Sequence, residues 1–380
     1  MNLSAKRLFG AALAAFVHLT AFSAEPGITA NTVLIGQTGV FSGPVAGPAL
    51  QYRAGAQLYF DSVNANGGVA GRKIQLISYD DKFDPKLAAE NTRKLLETDN
   101  VFALIGFVGI GGIMASMPQI VEHRIPLVGA MSGTEALRDP KLRYVFHTRA
   151  SYTLEIEKML IQLKTTGVNS IAVVYEDDPF GQGGLKSAQA AFERQGMKPL
   201  IEAPIDMRKL DELEPLATQV AKLQPLAIIL ITAGKPTTSF IRSYLKTGST
   251  SRFFGISVVS AEALVAELGD RAHGVVISQV APSPHRSSLG ISKEFLATAQ
   301  KADSKEISYN SLEGYITAKV FVESLRRAGK DPSREKLMSA LESLHNYDLG
   351  GFSIDYSPAK RAGSSYVDLS IIRKDGQFLH

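Results

Sequence analysis

The chain has 380 residues, 45% of them hydrophobic and 21% charged, a length that favours two domains, each able to bury a core. Its 41 Lys and Arg residues nearly balance 37 Asp and Glu residues, and no basic block recurs along a helix face, which argues against nucleic-acid binding. Cysteine is absent, which excludes disulfides, thiolate metal sites, a cysteine nucleophile and the lipid-attachment cysteine of tethered bacterial proteins.

The first 23 residues are typical of a secretory signal peptide. Lys6 and Arg7 precede an apolar run, 8–22, and small residues at positions 21 and 23 suit cleavage after Ser23, with Ala24 as the alternative. A membrane anchor is the competing interpretation, but a spanning helix needs about 20 apolar residues and this run is shorter. No later segment looks able to span a bilayer, so we expect a periplasmic protein without a lipid anchor.

Short apolar strands alternate with amphipathic helices along most of the chain. The predicted strands are 33–36, 74–77, 102–105, 127–129, 171–175, 199–202, 227–231, 253–256 and 275–278, with shorter β segments at 352–354 and 369–372. The predicted helices are 85–97, 154–166, 180–195, 213–223, 239–247, 312–328 and 332–343. Near-continuous apolar strands between helices indicate parallel sheets covered on both faces. Two such series predict an α/β fold with two Rossmann-like lobes.

An acidic pair marks the end of the second predicted strand. The glycines of segment 64–71 end a helix, because glycine adopts the left-handed conformation at little cost, and Asp80 and Asp81 follow the next strand. In open α/β sheets, ligands bind at the carboxyl ends of the strands. We therefore expect the binding site at this edge of the sheet.

The motifs of common enzymes are absent or incomplete. The seven histidines form no His-Glu-x-x-His pair, and Ser132 lacks a Gly-x-Ser-x-Gly elbow. Met114 occupies the last glycine position of a dinucleotide fingerprint that would begin at Gly109. The pairs at 80–81 and 177–178 are adjacent residues at strand ends, whose side chains point in opposite directions, so capping is favoured over acid-base catalysis. We predict a protein that binds without catalysis, with no catalytic residue, metal ligand or cofactor.

Two loops rich in glycine and serine offer backbone amides at strand ends. The first precedes a helix, whose N-terminal amides and positive partial charge suit a carboxylate, and consists of Gly109, Ile110 and Gly111. The second adds two hydroxyls beside its amides and consists of Met131, Ser132, Gly133 and Thr134. Ordinary turns between strands and helices also favour glycine and serine, and this structural alternative stays open at this stage.

Further motifs follow in a fixed order: Ser42-Gly43-Pro44, Asp84-Pro85, Ile105-Gly106, Ile125-Pro126, the stretch 175–181 and Glu313-Gly314-Tyr315. On these residues and segment 64–81, nearly the whole mature chain resembles the periplasmic solute-binding proteins of the leucine/isoleucine/valine-binding type, which serve ABC importers. The resemblance implies the type I periplasmic binding protein fold, in which multiple crossovers hinge two lobes. It places lobe one at 28–147 plus 278–349 and lobe two at 148–277 plus 350–380.

The resemblance also implies how a ligand is held. The two glycine- and serine-rich loops would bind the α-carboxylate and part of the ammonium of an amino acid. The sequence departs from this pattern at Ile110, where the family carries a hydroxyl, and at Ser257, where it carries the acid that pairs with the ammonium. An ammonium buried without a charged partner is costly, which favours a carboxylate that lacks one. Asp178 is the alternative acid that could pair with an ammonium in place of the one missing at position 257.

Cationic and aromatic side chains complete the predicted site. Arg149 lies at the first expected crossover and offers a planar fork for a carboxylate, with a hinge salt bridge as the alternative. Lys235 follows Gly234 after a strand and is a second candidate, with a solvated surface lysine as the alternative. The resemblance places Tyr152, Phe180 and Tyr309 in segments that line the cleft, with core positions as the alternative. Phe41 and Ser42, after the first strand, are the remaining candidates.

The sequence thus predicts the periplasmic substrate-binding component of an ABC uptake transporter. It would bind an amino acid or a small carboxylate, aromatic ones included, between the lobes, close by hinge motion and deliver the ligand to an inner-membrane permease. We expect a monomer. A periplasmic receptor that reports to a signalling partner is the alternative, because the same fold serves both roles.

Overall fold

The computed structural model describes residues 25–43, 45–375 and 378–379. The predicted signal peptide, 1–23, and Pro44 of the Ser42-Gly43-Pro44 motif lie outside the described residues. Within these ranges, no helix combines the length and apolar character that a membrane crossing requires. The chain forms a mixed α/β fold in two lobes, each built on a sheet with parallel strands, as the alternation of apolar strands and helices predicts.

The first lobe contains a sheet of five parallel strands. They are β1 (Thr32–Gly39), β2 (Lys73–Asp80), β3 (Ala103–Ile105), β4 (Leu127–Val128) and β5 (Val145–Phe146). They lie in the order β2-β1-β3-β4-β5. The helices that accompany them are α1 (Gly47–Ala65), α2 (Pro85–Glu97) and α3 (Ile110–Glu122). The central strands β3 and β4 are wholly apolar and buried, because helices cover both faces of the sheet.

Five parallel strands form the body of the second sheet. They are β6 (Ile171–Glu176), β7 (Glu202–Ile205), β8 (Ala227–Ile231), β9 (Arg252–Gly255) and β10 (Val276–Gln279). Their helices are α4 (Tyr152–Thr165), α5 (Pro179–Gln195), α6 (Glu214–Lys222), α7 (Lys235–Lys246) and α8 (Ala261–Leu268). Alternate residues of β8 enter two cores: Ile228 packs with α6, α7 and α8, and Ile229 packs with α4 and α5.

The chain after β10 contributes to both lobes. The first lobe receives α9 (Gly290–Lys301), α10 (Tyr309–Ala328), α11 (Arg334–Glu342) and a hairpin of β11 (Tyr347–Asp348) and β12 (Ser353–Ile354). The second sheet then receives the antiparallel strands β13 (Asp368–Ile372) and β14 (Phe378–Leu379). The chain therefore passes between the lobes before α4, after β10 and before β13.

The lobe boundaries predicted at 277/278 and 349/350 remain predictions. The structure pairs β10, which ends at Gln279, with the second sheet. It packs Phe352, Ile354 and Tyr356 in the core of the first lobe, because the β11–β12 hairpin holds this segment there.

Helices α1 and α10 cross in close backbone contact. A methyl group added at Gly55 would lie 1.7 Å from the carbonyl oxygen of Ser311, and one added at Gly314 would lie 1.9 Å from that of Tyr52. The Tyr52 hydroxyl donates to the Gly129 carbonyl at 3.0 Å. This crossing therefore also positions the chain that leaves β4 toward the space between the lobes.

We expect Gly314→Ala to lower the free energy of unfolding by about 1–3 kcal/mol, because the added methyl group overpacks the crossing and pushes the helices apart. Gly47→Ala is the matched control, since a methyl group there meets no neighbouring atom within 4 Å. Denaturant unfolding of both variants measures the difference. Equal stability of the two variants would show that the crossing has room for the methyl group.

Candidate functional site

A cavity of about 330 Å³ lies between the lobes, at the carboxyl ends of strands from both sheets. The first lobe contributes Val40, Val45, Pro48, Ala49, Phe83, Val108, Gly109, Ile110, Met131 and Ser132. The second lobe contributes Tyr152, Glu176, Asp178, Phe180, Met207, Ala233, Pro236 and Val258. A smaller cavity of about 220 Å³ adjoins it and shares Phe83, Val108, Ile110, Asp178 and Phe180. The lining is mostly apolar, with hydroxyl and carboxyl groups at a few positions.

The amino end of α3 opens onto both cavities. Gly109 precedes the helix with a φ of 77°, and a methyl group there would lie 2.8 Å from the Phe83 ring, so both backbone conformation and space favour glycine. Ile110 and Gly111 begin the helix, and no described side chain caps it. The first amides of a helix have no intrahelical partner. They can donate to a carboxylate in the cavity.

Ser132 borders the cavity, whereas the next two residues of its loop do not. A methyl group at Gly133 would lie 2.3 Å from the Tyr152 ring, so this glycine lets the ring pack on the loop. Thr134 contacts the second lobe instead, because its Oγ1 lies 2.9 Å from the position of a methyl group added at Gly183 of α5. Of the two hydroxyls predicted for this loop, the one that reaches the cavity lining is therefore that of Ser132.

Tyr152 and Phe180 form one wall of the cavity. Their ring centroids are 5.9 Å apart and their planes meet at 80°, an edge-to-face contact. The Tyr152 amide donates to the Gly133 carbonyl at 2.7 Å, which joins the start of α4 to the Ser132 loop. Burial raises the pKa of the Tyr152 phenol, so this wall is uncharged at neutral pH.

Two acids border the cavity from the second lobe. Glu176 ends β6 and is 5% exposed, and its Oε1 accepts a hydrogen bond from the Ala233 amide at 2.7 Å. Burial raises the pKa of Glu176 to about 8; the Ala233 amide opposes this shift and the charge of Asp178 adds to it. Asp178 accepts from the Gly181 amide at 2.8 Å and caps α5.

We expect Glu176→Gln to raise the free energy of unfolding near pH 8, by about 2–4 kcal/mol, and to have a much smaller effect near pH 5. The folded pKa of about 8 exceeds the ordinary value of 4.5, so between these values unfolding releases a proton and the wild type loses stability as the pH rises. Urea unfolding at the two pH values measures this. The control is Asp177→Asn, whose exposed carboxylate accepts from Gln182. The same gain at both pH values would contradict the raised pKa.

Arg149 does not border the cavity. It is 1% exposed, and its guanidinium nitrogens lie 3.6 Å from a Glu155 oxygen and 3.5 Å from a Glu313 oxygen. Burial by itself would lower the pKa of Arg149, but Glu313 and Glu155 outweigh that effect and raise it. The fork that the sequence offers to a ligand carboxylate thus faces two protein carboxylates, the hinge salt bridge that was the alternative interpretation.

Ser257 belongs to the same buried network. Its hydroxyl accepts a hydrogen bond from Arg149 Nη2 and donates to Glu155 Oε1 at 3.0 Å, and its amide donates to Glu155 Oε2 at 2.8 Å. Ser278 of β10 donates to Oε2 as well, at 2.6 Å. Ser257 therefore binds Glu155 in the lobe interior and is absent from the cavity lining.

The predicted residues Gly234 and Lys235 are not part of the cavity lining, although their neighbours Ala233 and Pro236 are. The side chain of Lys235 is 56% exposed and pairs with Asp211 at 3.2 Å, the surface position that was its alternative. Gly234 precedes α7, and a methyl group there would lie 3.1 Å from Val45 of the first lobe. Gly234 is thus a point of close approach between the lobes.

The remaining candidates make contacts elsewhere. The Phe41 ring packs 4.2 Å from the Arg53 guanidinium, and the Ser42 hydroxyl donates to Asp80. Tyr309 packs edge-to-face against Phe378, with ring centroids 5.3 Å apart. The predicted site residues that do border one of the two cavities are Gly109, Ile110, Gly111, Met131, Ser132, Tyr152, Asp178 and Phe180.

Eleven residues of the cavity lining are not among the predicted site residues: Val40, Val45, Pro48, Ala49, Phe83, Val108, Glu176, Met207, Ala233, Pro236 and Val258. Apolar residues at these positions carry no local signal that separates a cavity wall from a core. Glu176 is different, because it lies at the carboxyl end of a strand, where ligands bind in open α/β sheets. The topological rule applied to Asp80 and Asp81 also identifies Glu176.

Residues 32–377 match the family model described as Periplasmic binding protein. The chain belongs to this family. The leucine-specific-binding protein of Salmonella typhimurium is 22% identical over 371 residues, which cover 92% of this chain and 96% of that relative. Family and relative are solute-binding proteins, so this chain is a solute-binding protein and not an enzyme, as the incomplete catalytic motifs predict.

Solved structures of other periplasmic binding proteins share the two-lobed fold. A substrate-binding periplasmic protein from Ralstonia solanacearum is 30% identical, with a TM-score of 0.82 over 91% of this chain and 99% of that chain. An extracellular ligand-binding receptor from Verminephrobacter eiseniae is 29% identical, with a TM-score of 0.84 over 92% of this chain and 100% of that chain. The similarity spans both lobes, so the cleft between them is a feature of the whole fold.

Proposed function

We propose that this protein is the periplasmic substrate-binding component of an ABC uptake transporter. It binds an amino acid or a small carboxylate, aromatic ones included, and delivers it chemically unchanged to an inner-membrane permease. The predicted signal peptide exports the chain, and the mature protein acts as a monomer without a cofactor.

The cavity between the lobes is the observation that carries this proposal. Its volume of about 330 Å³ suits a small solute, and walls from both lobes allow the ligand to stabilise the closed arrangement by contacting both at once. The first amides of α3 and the Ser132 hydroxyl can bind a carboxylate. Phe83, Met131 and Phe180 supply contacts for an apolar body. The name of the Salmonella relative, leucine-specific, supports an amino acid of this kind.

Native mass spectrometry of the protein purified from its own periplasm tests the ligand class. We expect a co-purified small solute that is an amino acid or a carboxylate. Cells that lack the gene should then lose high-affinity uptake of that solute. Undiminished uptake, together with a lost transcriptional response to the solute, would instead support a receptor for a signalling partner.

We expect Phe180→Ala to weaken binding of the co-purified solute by about 1–3 kcal/mol, because it removes one aromatic wall of the cavity and its contact with Tyr152. Titration calorimetry measures the change. Leu200→Ala is the matched control, since Leu200 is an exposed apolar residue of the second lobe outside the cavity lining. Equal affinities of the two variants would place the ligand elsewhere.

A further inference from the structure

The charged side chains that border the interlobe cavity, within the part of the chain that the structure describes, are both acids. Glu176 and Asp178 stand on the second lobe, across from the amino end of α3 on the first lobe. Most of the lining between them is aliphatic or aromatic. When ionised, each of these carboxyl groups attracts a cation and repels an anion.

The two cations that the sequence suggests for this cleft are engaged elsewhere. Arg149 is buried between Glu155 and Glu313, and Lys235 is exposed beside Asp211. Neither borders the cavity. Within the described lining, no cation could therefore pair with a ligand anion next to Glu176, whereas a ligand ammonium there could pair with the ionised form of this carboxyl group.

Glu176 has unused hydrogen-bond acceptor capacity. An ionised carboxylate offers about four acceptor positions, and the Ala233 amide is the donor that the described residues provide. Asp178 already accepts from the Gly181 amide as the cap of α5. A charged donor on a ligand forms a stronger hydrogen bond with a buried carboxylate than a neutral donor does.

From this arrangement we propose that Glu176 binds a protonated nitrogen of the ligand, so that the preferred ligands are apolar compounds that carry an ammonium group. The inference rests on the proposed function and narrows its ligand class. The lack of an acid at Ser257 favoured a carboxylate ligand without an ammonium. The inference departs from that expectation, because Glu176 at the end of β6 supplies the acid that position 257 lacks.

Binding of an ammonium at Glu176 is coupled to the proton of this side chain. The pKa of Glu176, about 8, means that the free protein holds this proton at neutral pH, and an ammonium displaces it. Affinity for ammonium ligands therefore rises with pH between about 6 and 8, by up to about tenfold per pH unit. A carboxylate ligand that accepts a hydrogen bond from the protonated acid instead shows a nearly constant affinity over this range and a falling affinity above about pH 8.

Few other groups around Glu176 titrate. Asp178 at the start of α5 raises its pKa, and Tyr152 of α4 borders the same cavity. The neighbouring strand β7 pairs Ile205 with Glu176, and the chain after β8 contributes the Ala233 amide. At the start of α7, Lys235 is exposed and paired with Asp211. A variant at position 176 is therefore compared with the wild type, to show that the pH dependence of the affinity comes from Glu176.

Two matched series of ligands test the inference by isothermal titration. One series is L-leucine, isopentylamine and 4-methylpentanoate, and the other is L-phenylalanine, 2-phenylethylamine and 3-phenylpropanoate. Each series keeps the apolar body and removes either the carboxylate or the nitrogen. We expect at least one nitrogen-bearing member to bind about tenfold or more tightly than the nitrogen-free carboxylate of its series.

Glu176→Gln should reduce that affinity by about tenfold or more and flatten its dependence on pH, because the amide cannot ionise. Asp177→Asn, in the adjacent and exposed position, should leave both unchanged. Thermal unfolding of each variant confirms that it is folded. Tighter binding of the nitrogen-free carboxylates, or an unchanged affinity and pH slope in folded Glu176→Gln, overturns the inference and leaves the proposed function in place.

If none of the six compounds binds, the inference is tested on the solute that co-purifies with the protein. A nitrogen-free solute overturns the inference alone. A nitrogen-bearing solute whose affinity falls in Glu176→Gln supports it, and one whose affinity does not fall overturns it. Absence of both binding and a co-purified solute overturns the proposed function together with the inference.

Discussion

Replacement of Arg149 by Met is expected to lower the free energy of unfolding by about 3–5 kcal/mol, one of the largest effects of any single change in this protein. The guanidinium lies between Glu155 on α4 and Glu313 on α10, and all three side chains are buried. Without it, two carboxylates remain buried and close together with no cation between them. Removing one partner of a buried ion pair costs more than the pair contributes, because the remaining charge is uncompensated.

Burial itself raises the pKa of Glu313, while Arg149 holds it down. The additional change Glu313→Gln should therefore restore part of the stability of Arg149→Met, because it removes one of the uncompensated charges. Denaturant unfolding of the single and double variants measures this.

Arg208→Met is the matched control for the Arg149 variant. Its side chain is 88% exposed and pairs with Asp206 at the surface, where solvent screens the interaction. We expect a change near zero. A similarly small loss in Arg149→Met would show that the charges at the crossover are solvated in solution.

The second large effect is expected at Arg138, where replacement by Met should lower the free energy of unfolding by about 2–4 kcal/mol. Its guanidinium donates to four carbonyl groups, those of Ser132, Thr134, Arg149 and Ala150. Burial lowers the pKa of Arg138 to about 10, which still leaves it charged at neutral pH. A neutral replacement leaves these buried carbonyls without their donor.

Arg138 also connects the Ser132 loop to the first crossover. Two of its carbonyl partners belong to the Ser132 loop, and two belong to the segment just before α4. We therefore expect Arg138→Met to weaken binding of the co-purified solute as well, because Ser132 loses its fixed position. Calorimetry and denaturant unfolding measure the two effects separately.

Arg72→Met is the control for Arg138. Arg72 also donates to carbonyl groups, those of Thr29 and Lys330, but at the surface of the first lobe. Water can replace these bonds, so the loss of stability should be small and the affinity unchanged. Full ligand affinity in a destabilised Arg138→Met would separate the loop from the crossover and contradict the connection.

Several elements follow from local sequence alone. Helix α2 covers the predicted 85–97, because Asp84 caps it and Pro85 begins it. Strand β8 covers the predicted 227–231, a continuous apolar run. The strand predicted at 199–202 lies early, since β7 begins at Glu202, where it pairs with Val173 of β6. Pairing between strands decides the register of such an edge strand, and local hydrophobicity does not.

The helices α8 and α9 are not predicted. Helix α8 has eight residues, most of them apolar, and periodicity over so short a run does not separate a helix from a buried strand, although Ser260 caps it in the structure. Leu289 precedes α9 without a side-chain cap, and no local start signal marks this helix.

For the candidate site too, local sequence predicts some features and not others. Glycine and serine loops at strand ends indicate where backbone amides are offered, and Gly109, Ile110 and Ser132 do border the cavity. The role of a long charged side chain depends on which groups lie within its reach. Arg149 and Lys235 show this, because Arg149 lies near Glu313 from a distant part of the chain as well as near Glu155, and Lys235 pairs with Asp211.

The amino-acid order by itself determined the alternation of strands and helices, the family, and the sheet edge at which the interlobe cavity lies, because periodicity, caps and short motifs are properties of neighbouring residues. Tertiary structure decided which charges border that cavity. The fold brings Glu155 of α4 and Glu313 of α10 to Arg149, and it places Glu176 beside the cavity, where the Ala233 amide after β8 donates to it. The free energy of a charge depends on its desolvation and its partners in space, and neither is encoded locally.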